Sequence, residues 1–340
     1  MENARWKQRP PGSNWGDFGP DDQVGRMNLL TPQRRLKAIR EVEHGLTFCL
    51  SLPLDYPGGN KLFQHRKEPK FFHERRGQGH NYNFRLSSVC GCFTDVISDD
   101  AVMLYTQYST QWDGLGHVGQ MFDANGDGLP EKVYYNGFRA GVEIIGPDDA
   151  TGGHGAKAIG IERLAAAGVQ GRGVLVDLER LHGRERVSVG YDGLMRALEA
   201  QKASVEPGDF LCLYTGFADL VLEMKKDPDT ELLARSCAVL DGRDEKLLQW
   251  ITDSGIVAIC ADNFAVEGYP ARPGEGEHYA ALPLHEHCLF KLGLNLGELW
   301  YYGELASWLR SHGRSSFLLT APPLRLPGAV GSPATPVATV

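Results

Sequence analysis

Apolar residues along this chain fall into short unbroken runs, and stretches with helical spacing lie between them. Leu46-Thr47-Phe48-Cys49-Leu50-Ser51-Leu52, Gly173-Val174-Leu175-Val176-Asp177, Phe210-Leu211-Cys212-Leu213-Tyr214 and Ile256-Val257-Ala258-Ile259-Cys260 each predict a strand, and Gly293 to Trp300 predicts a late one ending at Glu298. Such runs suit strands covered on both faces. Ile159 to Gly168, Tyr191 to Ala200, Glu245 to Asp253 and Glu304 to Arg310 have the period of helices. Strands alternating with helices predict an α/β core. An earlier helix is marked by Thr31 as N-cap with Pro32 at its first position; Leu36 and Ile39 are expected to face inward and Gly45 to end it.

Other stretches have no period. Residues 1–30 are rich in Trp, Gly, Pro and Asp and predict an ordered arm that wraps the body or a neighbouring subunit. Residues 55–84 predict a long surface excursion, after which the apolar groups Val89 to Phe93 and Ala101 to Tyr105 predict two strands. Asp123-Ala124-Asn125-Gly126-Asp127-Gly128 imitates the start of a calcium loop, but its twelfth position is Tyr134, so a solvent-exposed Asx turn is expected. Residues rich in Pro, Gly, Ala and Thr after 321 predict a loosely held tail. The organisation expected is an arm at 1–30, one α/β domain at 31–320 and a tail at 321–340.

Composition narrows the function classes. The chain has 340 residues, 42% hydrophobic and 23% charged, enough for a substantial core. Its net charge of −8 and the lack of a Lys/Arg block argue against nucleic acid as partner. No run of eighteen apolar residues exists, and the first residues lack the apolar core of a signal peptide, so a cytoplasmic protein without membrane contact is expected. The seven cysteines show no zinc-type CxxC and no ladder of pairs, which predicts free thiols in a reducing compartment.

The candidate chemistry is concentrated in Gln107-Tyr108-Ser109-Thr110-Gln111-Trp112-Asp113-Gly114-Leu115-Gly116-His117. Gln107, Gln111 and Asp113 are all odd-numbered and would share one face of a strand. At about 3.3 Å per residue a straight strand holds positions 107 and 111 roughly 13 Å apart, so the chain must bend near Ser109-Thr110 for them to share an ion. Asp113 can supply negative charge to a cation, and the imidazole of His117 can take up and release a proton. A second group is His285, His287 and Glu298; on a helix the two histidines lie about 200° apart, so one of them faces a site. Asp262 and Glu267 follow a buried strand, where polar groups commonly meet ligands. Trp112, Phe71, Phe72 and Tyr82 are candidates for an aromatic substrate wall. No G-x-S-x-G elbow is present and no G-x-G-x-x-G opens a helix after a strand, which leaves serine-hydrolase and dinucleotide chemistry without support.

The 107–117 segment resembles the signature of the metal-dependent cyclase/hydrolase family that includes bacterial kynurenine formamidase, isatin hydrolase and trans-dienelactone hydrolase, whose pattern reads H-x-G-T-H-x-D-x-x-x-H. Thr110, Asp113 and His117 match in register; Gln107 and Gln111 stand at the two metal-histidine positions, and Ser109 replaces the glycine. Leu284-His285-Glu286-His287-Cys288-Leu289-Phe290 with Gly293 and Glu298 is similar to the later ligand segment, and the likeness extends over roughly residues 20–320. The resemblance implies a swivelling β/β/α fold and one divalent ion, Mn²⁺ or Zn²⁺, held by Gln107, Gln111, Asp113, His285 and Glu298. It also implies His117 as general acid and base. Glutamine carbonyls in place of imidazoles shift the donor set towards oxygen. The function implied is hydrolysis of a small amide or lactone. Trp112, Asp262, Glu267 and His287 are the candidate substrate contacts, and the wrapping N-terminal arm predicts a homodimer or homotetramer. The alternative is a metal-free member that binds a small metabolite or performs acid/base cyclisation or dehydration.

Overall fold

The structure is a computed structural model, and it describes residues 5–149 and 153–340. Its centre is a mixed nine-stranded sheet of β1 (Thr47–Cys49), β2 (Gln111–Asp113), β3 (Gln170–Asp177), β4 (Phe210–Tyr214), β5 (Ala258–Ala261), β6 (Asn295–Glu298), β7 (Ser316–Thr320), β8 (Gly331–Pro333) and β9 (Val337–Thr339). They lie side by side as β1-β9-β7-β3-β4-β5-β6-β2-β8. β3 to β6 run parallel, and β2 lies antiparallel between β6 and β8. The sheet curls: Ser51, just past edge strand β1, bridges Trp300, just past β6. The parallel strands β4 and β5 are buried along their whole length, as their unbroken apolar runs require.

Helices α1 (Pro32–Ile39), α2 (Ile161–Ala167), α3 (Tyr191–Ala200), α4 (Phe217–Glu223), α5 (Glu245–Ser254) and α6 (Gly303–His312) pack around this sheet. Thr31 caps α1 by accepting from the Arg34 N–H, with Pro32 at the first position. The inward face of α1 differs from expectation. Leu36 and Ile39 are 62% and 50% exposed, Ala38 is the buried position, and the helix stops at Ile39, well before Gly45. The reason is polar: Arg34 and Arg35 reach the carbonyls of Leu29 and Ala167, which turns the arginine side of α1 towards the body.

The N-terminal segment is ordered against its own chain. Trp15 is fully buried, stands edge-on to Phe290 at 5.1 Å and donates its indole N–H to the Phe290 carbonyl. Buried Arg26 spends its guanidinium on the carbonyls of Ile251, Thr252 and Ile256. Residues 67–105 form an exposed ribbon of short antiparallel pairs, Lys70–Phe72 with Ala101–Met103 and Phe84–Arg85 with Val96–Ile97. The Val89–Phe93 group is the turn of this ribbon, not a strand, and Cys90 and Cys92 within it are joined in a disulfide. That pair corrects the all-free-thiol expectation; Cys212, Cys237, Cys260 and Cys288 are free and buried, and Cys49 is free and exposed. Asp123 does form an Asx turn, accepting from the N–H groups of Gly126, Asp127 and Gly128.

The end of the chain is the largest departure from expectation. Residues after 321 are not a loose tail: β8 covers β2, β9 lies between β1 and β7, and Ala338 and Val340 are fully buried. Single residues with mixed composition carry no period over three positions, so strands this short leave no pattern to read. Among the described residues no helix is long and apolar enough to cross a membrane.

Candidate metal centre

Register across the sheet builds the site. In β2 the side chains alternate, so Gln111 and Asp113 share one face and Trp112 takes the other. Antiparallel pairing sets Gln111 opposite Glu298 and Asp113 opposite Leu296, and paired residues hold their Cβ atoms roughly 5 Å apart. Gln111 then donates through Nε2 to Asp113 Oδ1 at 3.0 Å and to Glu298 Oε2 at 3.3 Å. Thr110, just before β2, is pinned between the Leu299 carbonyl and the Leu52 N–H, and this turns the chain between Gln107 and Gln111.

His285 closes the cluster from a different element. It ends the helical turn Pro283–His285, which continues as the π-helix Glu286–Lys291. Buried Glu267 accepts from the Leu284 N–H, from the His285 N–H and, at 2.8 Å, from His285 Nδ1. That leaves Nε2 facing Glu298 Oε1 at 3.3 Å and Asp113 Oδ2 at 3.9 Å. A carboxylate behind an imidazole in this way fixes the tautomer and aims the far nitrogen. His117 stands at the rim, its Nε2 3.7 Å from Asp113 Oδ1 and its Nδ1 3.4 Å from the amide nitrogen of Gln107.

The electrostatics follow from burial and pairing. Burial pushes the Asp113 carboxyl up, with Glu298 adding to the push and the histidines opposing it. Burial acts on Glu298 in the same direction, but its bond with His285 outweighs this and holds it below the usual carboxylate range. Burial pulls His285 down, yet its bonds to Glu267 and Glu298 prevail and raise it to about 10. Without a metal, then, His285 is an imidazolium at neutral pH.

Asp113, His285 and Glu298 each offer a donor atom within 4.8 Å of the others. Asp113 Oδ2 and Gln111 Oε1 are buried without a hydrogen-bond partner. Unsatisfied buried oxygens are costly, and a divalent cation satisfies them, so the residues present fit such an ion. Gln107 lies outside this donor set. Its Oε1 accepts from Thr106 and its amide nitrogen meets His117, which makes it a holder of the histidine.

Four residues expected to touch substrate lie elsewhere. Trp112 is in the core on the opposite face of β2, edge-on to Trp300 and donating to the Ala321 carbonyl. Asp262 accepts from Thr215 N–H and Oγ1–H and from the N–H groups of Gly216 and Phe217, a carboxyl fixed at the start of α4 and pushed up to about 7 by burial. Glu267 acts on His285 and is fully buried. His287 points away towards Thr252 Oγ1 at 3.0 Å, where burial pulls its ring down to about 4. Phe71, Phe72 and Tyr82 are exposed on the ribbon. The wall beside His117, His285 and Glu298 is made instead by Leu62, Phe63, Arg66, Phe264, Tyr269 and Leu282, around a cavity of about 280 Å³. The polar, unperiodic 55–84 stretch concealed Leu62, Phe63 and Arg66; the one signal was that long irregular segments often serve function.

Glu267→Gln tests the aiming of His285. The amide keeps the shape but loses the charge, and we expect metal affinity to fall by about 10–100-fold, measured by titration with Mn²⁺. Unchanged affinity would remove Glu267 from the site.

The Cyclase family profile ("Putative cyclase") matches residues 48–268. A crystal structure described as a novel cyclase is 30% identical, with a TM-score of 0.75 over 98% of this chain and 100% of its own. Isatin hydrolase A from Labrenzia aggregata, bound to benzyl benzoate, is 12% identical with a TM-score of 0.54 over 87% of this chain and 93% of its own. An isatin hydrolase bound to the product analogue thioisatinate is 13% identical with a TM-score of 0.51 over 91% and 99%. No curated protein matches by sequence.

Proposed function

The chain belongs to the Cyclase family, and from that membership we propose that it is a metal-assisted hydrolase that opens the C–N or C–O bond of a small amide or lactone. The observation that supports this most is the Asp113–His285–Glu298 cluster, with Asp113 Oδ2 and Gln111 Oε1 buried and unpartnered beside it. These residues would hold one divalent ion, and the oxygen-rich donors favour Mn²⁺, with Zn²⁺ second. A bound ion supplies a Lewis acid that polarises the carbonyl and acidifies a water. His117 takes the water's proton at Nε2, the ring nitrogen on the Asp113 side, and returns it to the departing nitrogen or oxygen. Gln107 suits that duty with its amide turned so that Oε1 accepts from His117 Nδ1–H, because Nδ1 carries hydrogen in both ring states when Nε2 exchanges the proton. Phe63 and Phe264 narrow the cavity and exclude bulk water from the polar end.

Turnover of formanilides and simple lactones with Mn²⁺ supplied tests this reading. His117→Ala is expected to lower kcat by about 10²–10⁴-fold while leaving the metal content unchanged. A metal-loaded protein that turns over neither class would refute hydrolysis.

Metal binding also has a pH signature. His285, raised to about 10 in the metal-free protein, must lose its proton to become a ligand. Below that value each ion bound releases one proton, so affinity is expected to weaken about tenfold for each pH unit of acidification. Calorimetric titration in buffers of different ionisation enthalpy measures the proton directly; zero release would mean that His285 is neutral or uninvolved.

A further inference from the structure

The cavity holds one permanent cation that the hydrolytic chemistry leaves unused. Arg66 lies on its wall with His117, His285 and Glu298 at one end and Leu62, Phe63 and Phe264 at the other. Two contacts hold its guanidinium in place: it sits 4.9 Å over the Phe63 ring, and Nη1 donates to the Gln107 carbonyl at 2.5 Å. Among the described residues it forms no ion pair, whereas Arg139, Arg172 and Arg310 each close on a carboxylate. A guanidinium carries five N–H donors in a rigid fork that matches a carboxylate, and two of its contacts here only orient it. The apolar wall is a row of rings meeting edge to face, Phe63 with Phe264 at 5.0 Å and Phe264 with Tyr269 at 5.9 Å. Such a row suits a flat ring, and about 280 Å³ is at the small end of ligand cavities.

We infer that Arg66 binds a carboxylate on the substrate, so that the compounds opened here are small aromatic amides or lactones that also carry a free carboxylate. The identity of the opened bond rests on the hydrolase reading above, but the carboxylate preference does not require turnover. It therefore stands or falls separately.

The test uses the full-length protein stripped of metal with chelator, so that no ion competes for the anion; the His285 imidazolium lining the same cavity is held between the Glu267 and Glu298 carboxylates and is the same in every variant compared. Benzoate and benzamide, equal in shape and different in charge, are titrated by calorimetry into the wild type, Arg66→Gln and Arg66→Lys. The wild type is expected to bind benzoate about tenfold or more tighter than benzamide, as one charge-assisted fork allows. In Arg66→Gln that preference disappears while benzamide binding is unchanged, and in Arg66→Lys part of it survives. Equal binding of the two probes by the wild type, binding of neither, or an Arg66→Gln protein that still prefers benzoate would overturn the inference. Matching melting temperatures exclude misfolding of the variants, and should Arg66→Gln fail to fold, Arg66→Lys against wild type still decides, since loss of the rigid fork must weaken benzoate alone. Failure of the hydrolase reading would show differently, as carboxylate binding through Arg66 with no hydrolysis of any carboxylate-bearing amide or lactone.

Discussion

Asp113→Asn is expected to empty the metal centre, weakening divalent-ion binding by about a thousandfold and hydrolysis by at least as much. The carboxylate is wholly buried, and Oδ2 has no hydrogen-bond partner. An amide of the same shape leaves β2 and its pairing with β6 and β8 intact but withdraws the charge that a cation needs. Hard divalent ions are held by anionic oxygen and lose most of their binding when one such ligand becomes neutral. Stability separates this effect from simple unfolding. Burial and the neighbouring Glu298 charge both act against the ionised Asp113, so the metal-free variant should melt no lower than metal-free wild type. Saturating Mn²⁺, at a hundred times its dissociation constant, stabilises a binding protein by about 2.7 kcal/mol, and this gain should appear in wild type alone. Elemental mass spectrometry beside melting curves with and without Mn²⁺ measures both. Stoichiometric ion in Asp113→Asn would remove the residue from the centre.

Removal of residues 330–340 is the second large effect, and we expect it to leave no folded protein. The deleted segment carries β8 and β9, and β9 is the strand that joins β1 to β7. Val340 alone donates to the Leu46 carbonyl and accepts from the N–H groups of His44 and Gly45. Three lost strand pairings and the burial of Ala334, Ala338 and Val340 amount to several kcal/mol, comparable to the roughly 5–15 kcal/mol that holds a domain together. The loss also reaches the site, because Gly331 and Pro333 pair with Asp113 and Gln111. Gly331 has a further duty there: a Cβ at this position would meet the Gln107 amide nitrogen at 2.3 Å. Circular dichroism and soluble yield of the truncated protein decide the matter. A truncated protein with native melting behaviour would mean that the C-terminal strands are dispensable.

What the sequence determined by itself was local. The apolar runs at 210–214 and 256–260 became β4 and β5, the helical period at 191–200 became α3, and the stretch expected to end at Glu298 became β6. In each, one short window contains the whole cause, because propensity and periodicity act between residues a few positions apart. The alternation of Gln111 and Asp113 was legible for the same reason, but the same alternation puts Trp112 on the opposite face, against the expectation that it touches substrate. The tertiary structure decided everything that depends on elements distant in the chain. Choosing His285 over His287 required Glu267, eighteen residues earlier, to grip one ring while Thr252 received the other. Placing the Gln107 amide against His117 required the turn pinned by Leu299 and Leu52. Asp262, equally plausible by position, is taken up by the backbone at the start of α4. Leu62, Phe63 and Arg66 became a cavity wall only because the irregular segment folds back over the cluster. Three-residue strands such as β8 and β9 have too few side chains to display a period, and their order comes from the neighbours they pair with, which no window of sequence contains.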